Sequence, residues 1–303
     1  MSVVAELKQL LEAGVHFGHQ SSRWNPKMKK FIFASRNGIH IIDLKKTLQA
    51  LHEAQRAVRD VTLNGDRVLF VCTKRQLRPV IEAEAQRSGS FYVTERWLGG
   101  MLTNFATIKK QIRRLKELER GLEEGAYEFY TKKEQLMLSR ERDKLAKYLS
   151  GVKEMGRLPG AIFVVDAKKE TIAVKEANKL GIPVIAIADT NADPDAIDYP
   201  IPGNDDAIRS VGVITGMLCD SIEQARREMP ADARRGRDEG DATTYSTEGG
   251  LAQEAATEDR GKRKRPRRKR RPRADVIATL RTHEEGGEGG EAVAEGEAAP
   301  SEA

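Results

Sequence analysis

Cysteine is almost missing from this 303-residue chain: there are two, Cys72 inside an apolar run and Cys219 inside a helix-like segment. They lie far apart and in no metal-ligand spacing. A disulfide framework and a thiolate metal centre are both excluded, and the pair reads as buried, reduced thiols of a cytosolic protein. Long hydrophobic runs are absent too. No stretch reaches the roughly 18 to 20 consecutive apolar residues that span a bilayer, and "MSVVAELKQLLEAG" reads as an amphipathic helix rather than an export signal. Signatures of chemistry are equally scarce, with no G-x-x-x-x-G-K-[ST] loop, G-x-G-x-x-G turn, G-x-S-x-G elbow or C-x-x-C pair. Their absence counts against nucleotide, acyl-transfer and redox enzymes.

Charge is present in quantity and is segregated. Residues 1–229 hold 37 Lys and Arg against 30 Asp and Glu, whereas residues 230–303 hold 15 against 16. A basic globular part points to polyanionic partners. From Pro230 onward the periodic apolar pattern is lost, the mark of a disordered tail. Within it, "RGKRKRPRRKRRPR" (260–273) has 11 cations and no anion, and 284–303 has seven Glu and no cation. Such a basic block holds RNA phosphates by counterion release, and the acidic end can screen it.

Before the tail, the pattern is that of an α/β protein. An opening helix, Val3 to Ala13, ends at Gly14. Two apolar runs then flank Asn37-Gly38, the pair preferred by a type I′ hairpin turn. After a helix from about Leu44 to Leu63, apolar strands "RVLFVCT", "FYVT", "AIFVVD", "IPVIAIAD" and "IDYPIPG" alternate with amphipathic helices, the last from about Asp205 to Met229. Continuous apolar strands signal an open, mainly parallel sheet with helices on both faces, whose ligands gather at the strand ends, here Thr73, Thr94, Asp166 and Asp189. Between the halves, Ile108, Ile112, Leu115 and Leu118, then Leu138, Leu145, Leu149 and Val152, recur at helical spacing. Thr131 and Glu134 form a capping-box pair, and Thr103 or Asn104 caps the first helix. The expected organisation is 1–102 with 156–229 as the globular domain, 103–155 as an inserted antiparallel helical hairpin, and 230–303 as the tail.

Two kinds of site are candidates. Asp189, Asp193, Asp195, Asp198, Asp205 and Asp206, with His16 and His19 elsewhere, could hold a divalent cation, but Asp193-Pro194 and "GNDD" also read as turn and cap chemistry. His16 and His19 make a poor catalytic pair, since Gly14 and Gly18 oppose the helix that would align them. "GVHFGHQSSRWNPKMKKFIF" instead combines Arg23, Lys27, Lys29 and Lys30 with Trp24, Asn25 and the rigid Pro26, a set suited to RNA phosphates and bases. Trp24 and Phe17 are read either as core or as stacking surface. In "ERWLGGMLTNF", Trp97 and Leu98 anchor the hairpin to the sheet, and Gly99-Gly100 permits close backbone approach.

These segments, together with "VLFVCTKRQ", "LPGAIFVVDAKKE", "LGIPVIAIADTNADPD" and "IDYPIPGNDDAIRS", closely resemble the bacterial small (30S) subunit ribosomal protein S2 family over residues 1 to about 229. The resemblance implies a flavodoxin-like α/β fold with a coiled-coil hairpin and no catalytic activity or cofactor. It implies a cytoplasmic structural constituent of the 30S subunit that lies between head and body and touches 16S rRNA. It also implies a role in recruiting the large mRNA-binding OB-fold protein for translation initiation, with no membrane or small-molecule partner. Arg23, Trp24, Asn25 and Lys27 match the family's "RWNPKM" segment and Arg96 and Trp97 its "RWLGG" segment. The expected rRNA-binding set is therefore Arg23, Trp24, Asn25, Lys27, Lys29, Lys30 and Arg96. Ala192 stands where many members have Cys, and the tail is longer than usual for the family. The rivals are a sugar-phosphate or nucleotide enzyme using Asp166 and Asp189, and a transient RNA-binding factor.

Overall fold

A computed structural model describes residues 3–229; the tail, with its basic and acidic blocks, lies outside the described residues. The chain opens with helix α1 (Val3–Glu12), which ends at Gly14 in a left-handed conformation. A small antiparallel sheet follows, built from β1 (Phe17–Gln20), β2 (Ile32–Arg36) and β3 (Ile39–Ile42) in the order β1-β3-β2. Asn37 and Gly38 both take positive φ at the β2–β3 turn, the geometry that a type I′ hairpin demands. Helix α2 (Leu44–Leu63) is capped by Asp43, whose carboxylate accepts from the Lys45 N–H.

The main sheet contains β4 (Val68–Val71), β5 (Phe91–Val93), β6 (Ala161–Val164), β7 (Val184–Ala188) and β8 (Tyr199–Pro202), all parallel, in the order β5-β4-β6-β7-β8. Counted within the sheet this is 2-1-3-4-5, the flavodoxin-type order, with its switch point between β4 and β6. Alternate residues of each strand feed two separate cores. Val68, Phe70, Phe163, Ile185 and Ile201 meet α1, α2, α3 (Arg78–Ser88) and α7 (Ile208–Glu228) on one face. Leu69, Val71, Ile162, Val164 and Ala186 meet α6 (Thr171–Leu180) and the base of two further helices on the other. Burial on both faces is why these strands read as unbroken apolar runs.

Those two helices are α4 (Phe105–Glu123) and α5 (Lys132–Leu149), which pack against one another. The Thr131 and Glu134 capping box forms as expected, and ion pairs Arg114–Glu141 and Lys153–Glu119 tie the pair together. Their seam is continuous with the sheet: Ile108, Ile112, Leu115, Leu149 and Val152 share one core with Leu69 and Val71. Val152 itself lies past α5, in a short 3-10 turn.

The caps at the start of α4 differ from expectation. Asn104 occupies the cap position, but its side chain caps no backbone N–H of the helix and its Oδ1 instead accepts from the Thr107 hydroxyl (2.9 Å), while the Thr103 hydroxyl turns to Glu176. The reason is Glu176 of α6. Its buried carboxylate accepts from Trp97 Nε1 (3.1 Å), Gly100 N (2.8 Å), Leu102 N (3.1 Å), Thr103 N (3.1 Å) and Thr103 Oγ1 (3.1 Å). Burial alone raises the Glu176 pKa, but the donors from Gly100, Thr103, Trp97 and Leu102 outweigh it and hold the carboxyl below its ordinary 4.5.

Replacing Glu176 with Gln removes the charge and turns an amide donor toward other donors, so a loss of about 3 kcal/mol is expected in urea unfolding at neutral pH. The folded-state pKa is depressed, so this stabilisation is present above pH 4.5 and lost as pH falls through the lower folded value. The gap between native protein and Glu176→Gln therefore narrows in acid; a gap independent of pH down to 3.5 contradicts the ionised clamp.

Candidate functional site

In sheets of this order, ligands sit outside the carboxyl ends of the strands near the switch point. Here the protein's own ions fill that place. Lys74, just past β4, lies with Nζ 2.9 Å from Asp166, 2.9 Å from Asp205 Oδ1 and 2.8 Å from Asp206 Oδ1, and also donates to the Asp205 carbonyl at 3.1 Å. Burial lowers the ammonium's pKa, but the Asp205, Asp206 and Asp166 carboxylates outweigh it and raise the net value. Asp205 is pushed up to about 7 by burial and by Asp166, against the pull of Lys74. Its neighbour Asp206, bonded to Lys74, stays below the usual carboxylate range.

The other strand-end residues are committed as well. The Thr73 hydroxyl donates to Glu170, the Thr94 hydroxyl to Glu82 at 2.5 Å, and Asp166 accepts from Lys169 N at 2.9 Å. His19, on β1, reaches across to Asp189, Nδ1 to Oδ2 at 2.9 Å, and Asn191 meets its Nε2 at 3.1 Å. The Asp189 hydrogen bond raises the His19 pKa against the effect of burial. Gly18 makes this approach possible, since a Cβ there would stand 2.6 Å from Thr190 Cγ2. His16 takes no part: its ring stacks on Phe17 at 4.0 Å, and burial lowers its pKa. Among the described residues, His19, Asp205 and Asp206 present ligand atoms within 4.8 Å of one another, so these three could hold a metal ion. Asp193 and Asn204 perform the turn chemistry, accepting from Asp195 N and from Asp206 N and Ala207 N.

The cationic segment is a short 3-10 turn, Pro26–Phe31, pinned at one end by Asn25. Asn25 Oδ1 accepts from Lys27 N (3.1 Å), and Asn25 N donates to the Thr190 carbonyl (2.7 Å). Met28 is buried, which turns Arg23, Lys29 and Lys30 outward. Neither Arg23 nor Lys29 has an ion-pair partner among the described residues, while Lys30 lies over the Phe31 ring. Lys27 differs, since its Nζ sits 3.0 Å from Asp193 and 2.7 Å from Asp195. Trp24 is 37% exposed, its ring 5.3 Å from that of His40, and Phe17 is 51% exposed. The core reading thus fails for Phe17, and Trp24 keeps an open edge. Arg96 is exposed, whereas Trp97 is buried on Glu176. Arg96 lines a groove of about 510 Å3 between its loop and the α4–α5 base, with Leu98, Gln111, Leu145 and Tyr148.

Sequence reasoning missed Lys74 and Glu176. Glu176 does carry a signal, since it sits three residues after Ala173 and next to Ala177 on the buried face of α6, where a carboxylate must find donors. Lys74→Met strands three carboxylates and is expected to cost about 3–5 kcal/mol at pH 8. The folded pKa of Asp205 lies above its ordinary 3.8, so its ionisation erodes stability as pH rises from about 4 to about 7. The penalty accordingly shrinks in acid, and adding Asp205→Asn restores part of it; urea midpoints at pH 5 and 8 provide the measurement.

Comparison with known proteins completes the picture. A family described as "Ribosomal protein S2" matches residues 10–225. The "Small ribosomal subunit protein uS2" of Syntrophobacter fumaroxidans (strain DSM 10017 / MPOB) is 58% identical over 226 residues, covering 75% of this chain and 82% of that protein. With strand ends closed by internal ion pairs and most of its length matched to a non-enzymatic family, the chain belongs to the ribosomal protein S2 family.

Proposed function

We propose that this chain is a structural constituent of the small ribosomal subunit, binding 16S rRNA and neighbouring proteins between head and body and helping to recruit the large mRNA-binding OB-fold protein. The observation that carries this reading is the closed strand-end crevice: where an enzyme of this topology keeps a ligand site, Lys74 and its carboxylates occupy the space. Among the described residues no helix is long and apolar enough to cross a membrane. What remains for function is the outer surface.

On that surface, Arg23, Lys29, Lys30 and Arg96 supply cations to rRNA phosphate, and the open edge of Trp24 supplies a face for a base or sugar. Asn25 and Lys27 serve the same interface by holding its shape, through the turn cap and the Asp193–Asp195 pair. The globular domain comprises 1–102 and 156–229, and 103–155 forms an inserted coiled-coil hairpin. The groove beside Arg96 offers a neighbouring protein an apolar seat.

Sucrose-gradient separation of a lysate at high magnesium, followed by a salt wash, tests the reading. About one copy per 30S particle is expected to survive the wash, and protein found only at the top of the gradient refutes it. The triple variant Arg23→Glu, Lys29→Glu, Arg96→Glu is expected to lower occupancy about tenfold at physiological salt, with little change in fold stability. Unchanged occupancy removes these residues from the interface.

A further inference from the structure

The groove beside Arg96 has two helical walls. On α4, Asn104, Thr107, Ile108 and Gln111 recur at the three- and four-residue spacing of one helix face, and on α5, Glu141, Lys144, Leu145 and Tyr148 repeat that spacing. Each wall therefore runs about 10 Å, enough for about three residues of extended chain. The loop before α4 adds Leu98 and Gly99. Glu176 fixes that loop on both sides of them, at Trp97 and at Gly100 and Thr103, so the groove stands preformed and loses little freedom when filled.

The lining is apolar and its margin cationic. Leu98, Leu145 and Tyr148 pack on the core from one side only and stay partly exposed. The carboxylates at hand are already committed, Glu141 to Arg114 (3.1 Å) and Glu95 to Arg78 (2.5 Å). Arg96 and Lys144 have no ion pair among the described residues, and the Gln111 amide has no hydrogen bond there. An occupant thus needs apolar side chains for the lining, anions for the margin and a main chain that can meet an amide.

A peptide supplies all three, and a nucleotide base does not. Bases are held by stacking on open aromatic faces. Trp97 is buried with its indole N–H on Glu176, and Lys147 lies over the Tyr148 ring, 5.8 Å from its centroid. We propose that the groove binds an acidic segment of a neighbouring protein in extended form, with two apolar side chains at alternate positions on Leu98, Leu145 and Tyr148 and the carboxylates between them at Lys144 and Arg96. This rests on the ribosomal reading above, in which a neighbour uses this seat, and names that neighbour's chemistry.

The test titrates the full chain into two fluorescent peptides at physiological salt, Asp-Leu-Asp-Phe-Asp and Asp-Ala-Asp-Ala-Asp. Any cationic stretch, such as 260–273, attracts both by charge alone, so their ratio reports the apolar seat. The native chain is expected to bind the first about tenfold more tightly. Thr107→Trp fills the groove from an exposed position and is expected to remove that preference without moving the urea midpoint. Lys144→Glu is expected to weaken the first peptide about fivefold, whereas Lys8→Glu, whose cation is already paired with Glu12, changes neither. Arg96 is left intact because it also serves the RNA face.

Equal affinity of the native chain for the two peptides overturns the groove and leaves the ribosomal reading to its gradient test. A preference that survives Thr107→Trp overturns it as well, since the peptide then sits elsewhere. In washed small subunits, a photocrosslinker in place of Gln111 is expected to capture a protein segment with Asp or Glu around two large apolar residues; capture of RNA alone assigns the groove to RNA and overturns the proposal. Absence of the native chain from those particles refutes the ribosomal reading, and with it the partner as a ribosomal neighbour, whatever the peptides show.

Discussion

One buried carboxylate fixes the geometry of this protein. Between β5 and α4 the chain must leave the sheet, cross its face and start a long helix, and in doing so it presents backbone N–H groups to a dry interior. Glu176 collects three of these, together with the Trp97 indole and the Thr103 hydroxyl. Left unpaired, each of those donors would cost on the order of 1–3 kcal/mol. Their convergence on one anion sets where Trp97, Met101 and Leu102 enter the core and therefore the direction in which α4 departs. The helix pair is in this sense seated on α6 and not merely joined to the sheet by its ends.

The same economy governs the charges. Inside, each ionic group has a partner brought from far along the chain: Lys74 from Asp166, Asp205 and Asp206, and His19 from Asp189. Outside, Arg23, Lys29, Lys30, Arg96 and, along α5, Lys133, Arg140 and Lys144 have no carboxylate partner among the described residues. A fold whose strand ends ordinarily receive a ligand has thus become internally neutralised, and its capacity for binding has moved to its surface. Function here is a matter of which charges are left unmatched.

How far the sequence revealed this follows from the range of each interaction. The Asn37-Gly38 turn, the Thr131–Glu134 cap and the period of the parallel strands are local, and each was legible in a few adjacent residues. Strand β1 was not legible, because "FGHQ" carries no alternating apolar pattern and is held through β3 and Thr190. Phe17, which the sequence left open between core and stacking surface, lies half open beside His16. Lys74 and Glu176 were hidden because their partners lie up to 132 and up to 79 residues away. The matching of Lys27 to Asp193 spans 166 residues, and nothing in "RWNPKM" announces it.

The position of Glu176 has a further consequence during synthesis. A nascent chain that has emerged only as far as Lys169 possesses β4, β5, both helices of the pair and the loop that leads into them, but not the anion on which that loop closes. Domains made from the N-terminus complete themselves only when their last required element leaves the tunnel. Residues 97–103 therefore wait for α6, and through that interval Trp97 and the base of α4 lack the surface against which they finally pack.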